Sequence, residues 1–157
     1  MVGFLLDTRV ISELRRRQPD RGVQEAIDVL PSERLFISVV SIGELAKGVA
    51  LLPDGQQKRD VSNWLLRLEH QFDSQILPID VETVYLWGEL TARSQLRGIH
   101  IPATDGLIAA TARHHGLQVM TRNTEHFQAT GAFIVDPWSD DAMTQDTGGS
   151  LVTFLVE

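Results

Sequence analysis

Val2-Gly3-Phe4-Leu5-Leu6-Asp7 is a run of small and apolar residues stopped by an acid. Its large apolar residues are consecutive rather than alternating. That is the pattern of a strand covered on both faces, as in a parallel sheet, and not of a strand with one wet side. The carboxyl end of this strand therefore points at residue 7.

Working outward, apolar residues recur at helical spacing from Val10 to Arg17 and again from about Gly22 to Leu30, with Gln18-Pro19-Asp20 as the turn between them. Arg34 to Val40 carries Leu35-Phe36-Ile37-Ser38-Val39-Val40, which predicts a second buried strand. Ser41 then reads as a helix N-cap, with Glu44 at capping-box spacing and helix to about Leu52. Pro53-Asp54-Gly55 breaks the chain before an amphipathic segment from Gln57 to Phe72, and Ile76 to Ile79 supplies a third strand. Asp80 caps a helix to about Arg97, Gly98 to Pro102 is a loop, and Ala103 to His115 is helix. Leu117 to Met120 is a fourth strand, Thr124 to Ala129 a short helix and Phe133 to Val135 a fifth strand. Strands alternating with helices predict an α/β sandwich of three layers around a mainly parallel sheet of five strands.

The chain has 157 residues and is 43% hydrophobic, enough for one sizeable core, so residues 1–138 are expected to form one domain. Residues 139–157 have linker composition around Gln145-Asp146-Thr147-Gly148-Gly149-Ser150. The last apolar run, Leu151 to Val156, is compatible with an added edge strand, with packing on a partner or with disorder. There is no cysteine, which excludes disulfides and thiolate zinc sites. Neither a signal peptide nor a membrane span is expected, so the anticipated setting is the cytoplasm with no membrane partner. A net charge of −7 argues against a nucleic-acid partner in bulk. Local groups such as Arg15-Arg16-Arg17, Arg93, Arg97, Arg113 and Arg122 still allow a phosphate-facing patch inside an acidic protein, although for each arginine alone a solvated helix face is the simpler account.

In an open parallel sheet, ligands sit in the crevice beyond the carboxyl ends of the strands. Asp7 ends the first strand, Glu44 follows the second, Asp105 lies near the start of the helix after Pro102, and Asn123 follows the fourth. If the strands are neighbours, these side chains converge on one edge. Three carboxylates there repel unless a cation sits among them, and oxygen ligands favour Mg²⁺ or Mn²⁺ over zinc. Such a site supports phosphodiester hydrolysis, with a metal-activated water and a carboxylate able to take its proton. Glu44 has an alternative as the far half of a capping box, and Asp105 as a first-turn carboxylate favoured by the helix dipole. Asp7 is harder to explain structurally, because an acid closing a buried strand needs a partner for its charge.

Two motifs open a longer set: Leu5-Leu6-Asp7-Thr8 with Val10-Ile11-Ser12-Glu13-Leu14, and Ser38-Val39-Val40-Ser41-Ile42-Gly43-Glu44-Leu45 with Gly48. Asp105 to Ala112, Thr121-Arg122-Asn123 with Phe127, and Asp136-Pro137-Trp138 complete it, in order, over residues 1 to about 138. The set resembles the PIN-domain family, specifically its VapC-like toxins of the FitB type. The resemblance implies a homodimeric toxin of a type II toxin–antitoxin pair that cleaves RNA with Mg²⁺, Mn²⁺ being a possible substitute. It implies Asp7, Glu44 and Asp105 as metal-holding acids and Asn123 at the family's fourth acidic position. Thr8, Ser41 and Thr121 match polar residues lining the site. A cognate antitoxin would fill the groove, and operator DNA would be bound only through that antitoxin.

The family pattern is Asp-Thr-Asn-Val, whereas this chain has Asp7-Thr8-Arg9-Val10. Arg9 there competes with the cation and attenuates activity, grips substrate phosphate, or points to solvent; attenuation is the expectation taken forward. Two rivals follow: a different metal hydrolase using the same acids, and a binding module disabled by Arg9 that chiefly partners the antitoxin. His114-His115 and His126 are read as structural, and Trp64, Trp87 and Trp138 as packing residues.

Overall fold

The computed structural model describes residues 2–139. The expectations for the tail beyond Ser139 lie outside the described residues. Five strands, β1 (Phe4–Leu6), β2 (Leu35–Ser38), β3 (Ile76–Leu77), β4 (Gln118–Met120) and β5 (Ile134–Val135), alternate with helices. The helices are α1 (Thr8–Arg15), α2 (Arg21–Asp28), α3 (Val39–Leu51), α4 (Gln56–Phe72), α5 (Val81–Leu96), α6 (Ala103–His115) and α7 (Thr124–Ala129). The strands form one sheet in the order β3-β2-β1-β4-β5, and every pairing is parallel. The chain leaves β1 toward β2 on one side and returns to β4 on the other. The switch point of the topology therefore lies between β1 and β4, where such sheets bind ligands.

Side chains alternate across the sheet and build two cores. Phe4, Leu6, Leu35, Ile37, Met120 and Val135 face α1, α2 and α4, while Leu5 and Val119, with Phe36 and Ile134, face α6 and α7. All three residues of β1 are buried, as a strand covered on both faces must be. Trp64 and Trp138 pack against the first core, as expected of them. Among the described residues, no helix is long and apolar enough to cross a membrane.

One boundary differs from the sequence reading. Arg34 lies in a 3₁₀ turn, β2 ends at Ser38, and Val39 and Val40 already belong to α3. Ser38, not Ser41, is the N-cap: its hydroxyl accepts a hydrogen bond from Val40 N at 3.0 Å. The β-branched pair favours a strand locally, but capping by Ser38 starts the helix early. Glu44 consequently sits in the second turn of α3 rather than the first, and no capping box joins it to Ser41. The third strand is also shorter than expected, stopping before Pro78, which has no N–H to continue the ladder.

Candidate active site

Asp7 is both the last link of β1 and the N-cap of α1, so the sheet and the helix fix it together. It is 5% exposed. Its Oδ1 accepts a hydrogen bond from Thr8 N at 2.8 Å, and its Oδ2 accepts one from Thr121 Oγ1 at 2.8 Å, directly beyond the neighbouring strand β4. Burial pushes the Asp7 carboxyl above its ordinary value of 3.8, the hydrogen bonds from Thr121 and Thr8 pull it down, and the negative charges of Asp105 and Glu44 push it up again. None of the ion pairs among the described residues involves Asp7. A buried acid without a cationic partner and under the field of two other acids is an unbalanced charge.

Thr8 ties the second acid to the first. Its Oγ1 lies 2.7 Å from Glu44 Oε1 and 2.9 Å from Ser41 Oγ. With one proton to give, Thr8 donates to the carboxylate and takes the hydroxyl proton of Ser41. Ser41 is fully buried, one turn before Glu44 on the same face of α3. The shifted start of α3 leaves Glu44 without the capping role that was its alternative explanation.

The third acid stands on α6. Asp105 lies in the first turn, where the helix dipole favours negative charge. Gly106 beside it lets α6 approach α5 closely, because a Cβ there would lie 3.0 Å from the Trp87 ring. Asp105 Oδ2 accepts a hydrogen bond from Asn123 Nδ2 at 3.1 Å and lies 3.0 Å from His126 Nδ1. Asn123 is the N-cap residue of α7 yet makes no side-chain cap; its amide is turned to Asp105 instead. Its backbone N–H donates to Thr121 Oγ1 at 2.9 Å. A continuous chain of hydrogen bonds thus runs from Asp7 through Thr121 and Asn123 to Asp105.

The structure therefore brings together Asp7, Thr8, Ser41, Glu44 and Thr121 in one group and Asp105 with Asn123 in another, joined by the turn at residues 121–123. His126 belongs to the second group, against the structural reading given to it. Its signal in the sequence is the three-residue spacing from Asn123, which places both on one face of α7. Arg9 is exposed and makes no ion pair with any of the three acids, so it does not neutralise them in this structure. His114 lies at the end of α6, 3.5 Å from Asp80 and 3.6 Å from Glu82, away from the acids.

Comparison with known proteins bears on this arrangement. The PIN domain family matches residues 4–132. The chain belongs to the PIN-domain family. This PIN domain is 38% identical to "VapC ribonuclease Y4jK" of Sinorhizobium fredii over 86% of this chain and 97% of that one. It is 39% identical to "Toxin FitB" of Neisseria gonorrhoeae over 87% of this chain and 99% of that one. Among solved structures it superposes on a chain of FitAB bound to IR36 DNA fragment, with a TM-score of 0.82 and 35% identity, covering 87% of this PIN domain and 96% of that chain.

The donor set of this PIN domain fits a hard divalent cation. Its oxygens come from carboxylates, hydroxyls and an amide, and the charge of Asp7 lacks a counter-charge. Among the described residues, however, no group of three or more His, Asp and Glu side chains is drawn together closely enough to hold an ion jointly. Glu44 and Asp105 are instead held by Thr8, Asn123 and His126.

Proposed function

We propose that this chain is the toxin of a type II toxin–antitoxin pair and acts in the cytoplasm as a Mg²⁺-dependent endoribonuclease, with Mn²⁺ as a substitute. The observation that carries the reading is the unbalanced carboxylate Asp7 at the sheet's switch point, linked through Thr121 and Asn123 to Asp105 and through Thr8 to Glu44. Asp7 and Asp105, with Glu44, would hold the cation, which supplies a water of lowered pKa and charge stabilisation at the cleaved phosphodiester.

The chain's own residues perform the remaining work. Thr121 and the Thr8 N–H fix the direction of Asp7, and Asn123 and His126 fix that of Asp105. Partners of this kind orient ligands and tune their basicity. Glu44, held by the Thr8 hydroxyl, would serve as the carboxylate that takes a proton from the attacking water. The N-terminal ends of α1 and α6 aim backbone N–H groups and positive dipole ends toward the same edge, which favours the anionic backbone of RNA.

Relatives named as ribonucleases and as a toxin support the substrate class and the biological role. The neighbouring structure of FitAB on a DNA fragment supports a cognate antitoxin as partner; operator DNA reached only through that antitoxin is part of the same proposal. A homodimer belongs to the same proposal; Val81, Val84 and Tyr85 on α5 are exposed apolar side chains available to a second copy. The alternative of a binding module disabled by Arg9 draws no support from an arginine that makes no ion pair with any of the three acids.

The test is incubation of total RNA with the purified full-length chain in Mg²⁺, in Mn²⁺ and in EDTA, beside Asp7→Ala. Cleavage in either metal that is absent in EDTA and in the variant supports the reading. RNA left intact in both metals, or cut equally by the variant, overturns it.

A further inference from the structure

Arg93 and Arg97 lie one turn apart near the end of α5, and Arg113 lies in the last turn of α6. The fold brings all three to one recess of about 160 Å³, lined also by Leu90, Gln128 and Thr130. Arg97 Nη2 donates to Ala129 O at 3.2 Å and Arg113 Nη1 donates to Thr130 O at 3.1 Å, so these two close the C-terminal end of α7. That capping accounts for their presence in part, since cations favour the carbonyl end of a helix. It does not account for Arg93, which makes no hydrogen bond or ion pair among the described residues. No ion pair among the described residues involves any of the three, although the chain holds 21 acidic residues against 14 lysines and arginines.

Three guanidinium groups that remain charged at any relevant pH therefore meet around a recess with no carboxylate lining it. Their remaining N–H donors form forks suited to the paired oxygens of a phosphate. The recess has the volume of roughly five waters, room for a phosphate group and some of its hydration. Its position matters as much as its charge. α7 begins at Asn123, which binds Asp105, and ends at the carbonyls held by Arg97 and Arg113. Six helical residues span about 9 Å, so the recess lies one short helix from the carboxylates. A strand of nucleic acid whose scissile phosphate sits at the acids carries further phosphates on either side, within reach of that recess.

We propose that Arg93, Arg97 and Arg113 form a second, non-catalytic phosphate-binding site that grips the RNA backbone beside the cleaved bond. The inference rests on the ribonuclease reading and specifies where such an acidic chain obtains backbone affinity. Affinity from such contacts is independent of base sequence and falls with salt.

The test uses Arg93→Glu and Arg93→Lys, because Arg93 is exposed and makes no hydrogen bond or ion pair among the described residues whose loss would unfold the chain. Binding is read by fluorescence anisotropy in the uncleaving Asp7→Asn background. The probes are a single-stranded RNA of roughly 12 nucleotides, a dinucleotide, and a poly-glutamate peptide. Cleavage of the longer RNA is measured in parallel with Asp7 intact. The expected result is that Arg93→Glu weakens binding of the longer RNA about tenfold at low salt, lowers the salt slope by about one and raises KM with little change in kcat. Arg93→Lys restores binding, and the dinucleotide is unaffected. Unchanged binding of the longer RNA by Arg93→Glu, with wild-type cleavage intact, overturns the second site and leaves the ribonuclease reading standing. Loss of peptide binding alone overturns it in favour of a protein contact. A wild-type chain that neither binds nor cuts RNA overturns both.

Discussion

Asp7 and Asp105 are two carboxylates of one edge, yet the protein holds them in opposite ways. Asp7 is built into the sheet: it ends a fully buried strand, caps α1 and has both oxygens hydrogen-bonded, by Thr8 and Thr121. Asp105 stands on α6 outside the sheet, less deeply buried, and both of its partners, Asn123 and His126, come from the start of the six-residue α7. The difference separates two tasks. The buried half places a charge where the fold alone would not keep one, and the outer half rests on a short helix that supplies adjustable partners. Joined by the turn at 121–123, they are one site only if both halves are needed for the same event.

The largest effect that bears on this comparison is on cleavage itself. Asp7→Asn and Asp105→Asn should each lower kcat for RNA at least about a thousandfold, the scale of removing a member of a catalytic unit. An Asp105→Asn enzyme that keeps most of its rate would reduce the outer half to scaffolding. Next in size are the partners of Asp105. Asn123→Ala and His126→Ala should each weaken Mg²⁺ affinity or activity by about 10- to 100-fold, read by calorimetric titration and by steady-state kinetics. If His126→Ala has no effect on either, the outer group shrinks to Asp105 and Asn123.

Stability separates the halves in a different direction. Burial raises the Asp7 carboxyl above 3.8, so the folded chain holds this proton more tightly than the unfolded chain does. The contribution of Asp7 to stability is therefore favourable at low pH. It is lost as pH climbs from the unfolded value through the raised folded one, and stays lost above it. Asp7→Asn keeps the shape without the charge: its Oδ1 still accepts from Thr8 N, while its Nδ2 meets Thr121 Oγ1 as a donor where the carboxylate oxygen had accepted. It should unfold at higher urea than wild type near neutral pH, with the gain shrinking toward about pH 4. Wild type matching or exceeding the variant at neutral pH would show that the buried charge is balanced by something other than a bound cation. The smallest expected effect belongs to Arg9→Asn, which should leave Mg²⁺ affinity and kcat unchanged within error, since Arg9 meets none of the acids.

The same contrast decides what was legible in the sequence. Asp7 announced itself because a charge at the end of Phe4-Leu5-Leu6 needs a partner, and the parallel sheet follows from that run and from the strands at Leu35-Phe36-Ile37 and Val119-Met120. The start of α3 was not legible. Ser38 and Ser41 are both good caps, and Val39-Val40 between them is β-branched, so only the hydrogen bond from Val40 N to Ser38 resolves the boundary. His126 escaped because its three-residue spacing from Asn123 places it only on a face of α7, and the laying of that face against Asp105 of α6 is a tertiary event. Arg93 and Arg97 share a helix face by spacing alone, whereas the arrival of Arg113 from α6 is a tertiary event. Arg9, singled out because it departs from the family pattern, proves to lie on the exposed side of α1.

The most direct test of the two halves acting as one site is a double-mutant cycle on Mg²⁺-dependent RNA cleavage with Asp7→Asn, Asp105→Asn and the double variant. A single catalytic unit predicts that the double variant is no slower than either single variant, because each alone already removes the whole function. Losses that multiply, or a single variant that retains wild-type cleavage, would contradict it.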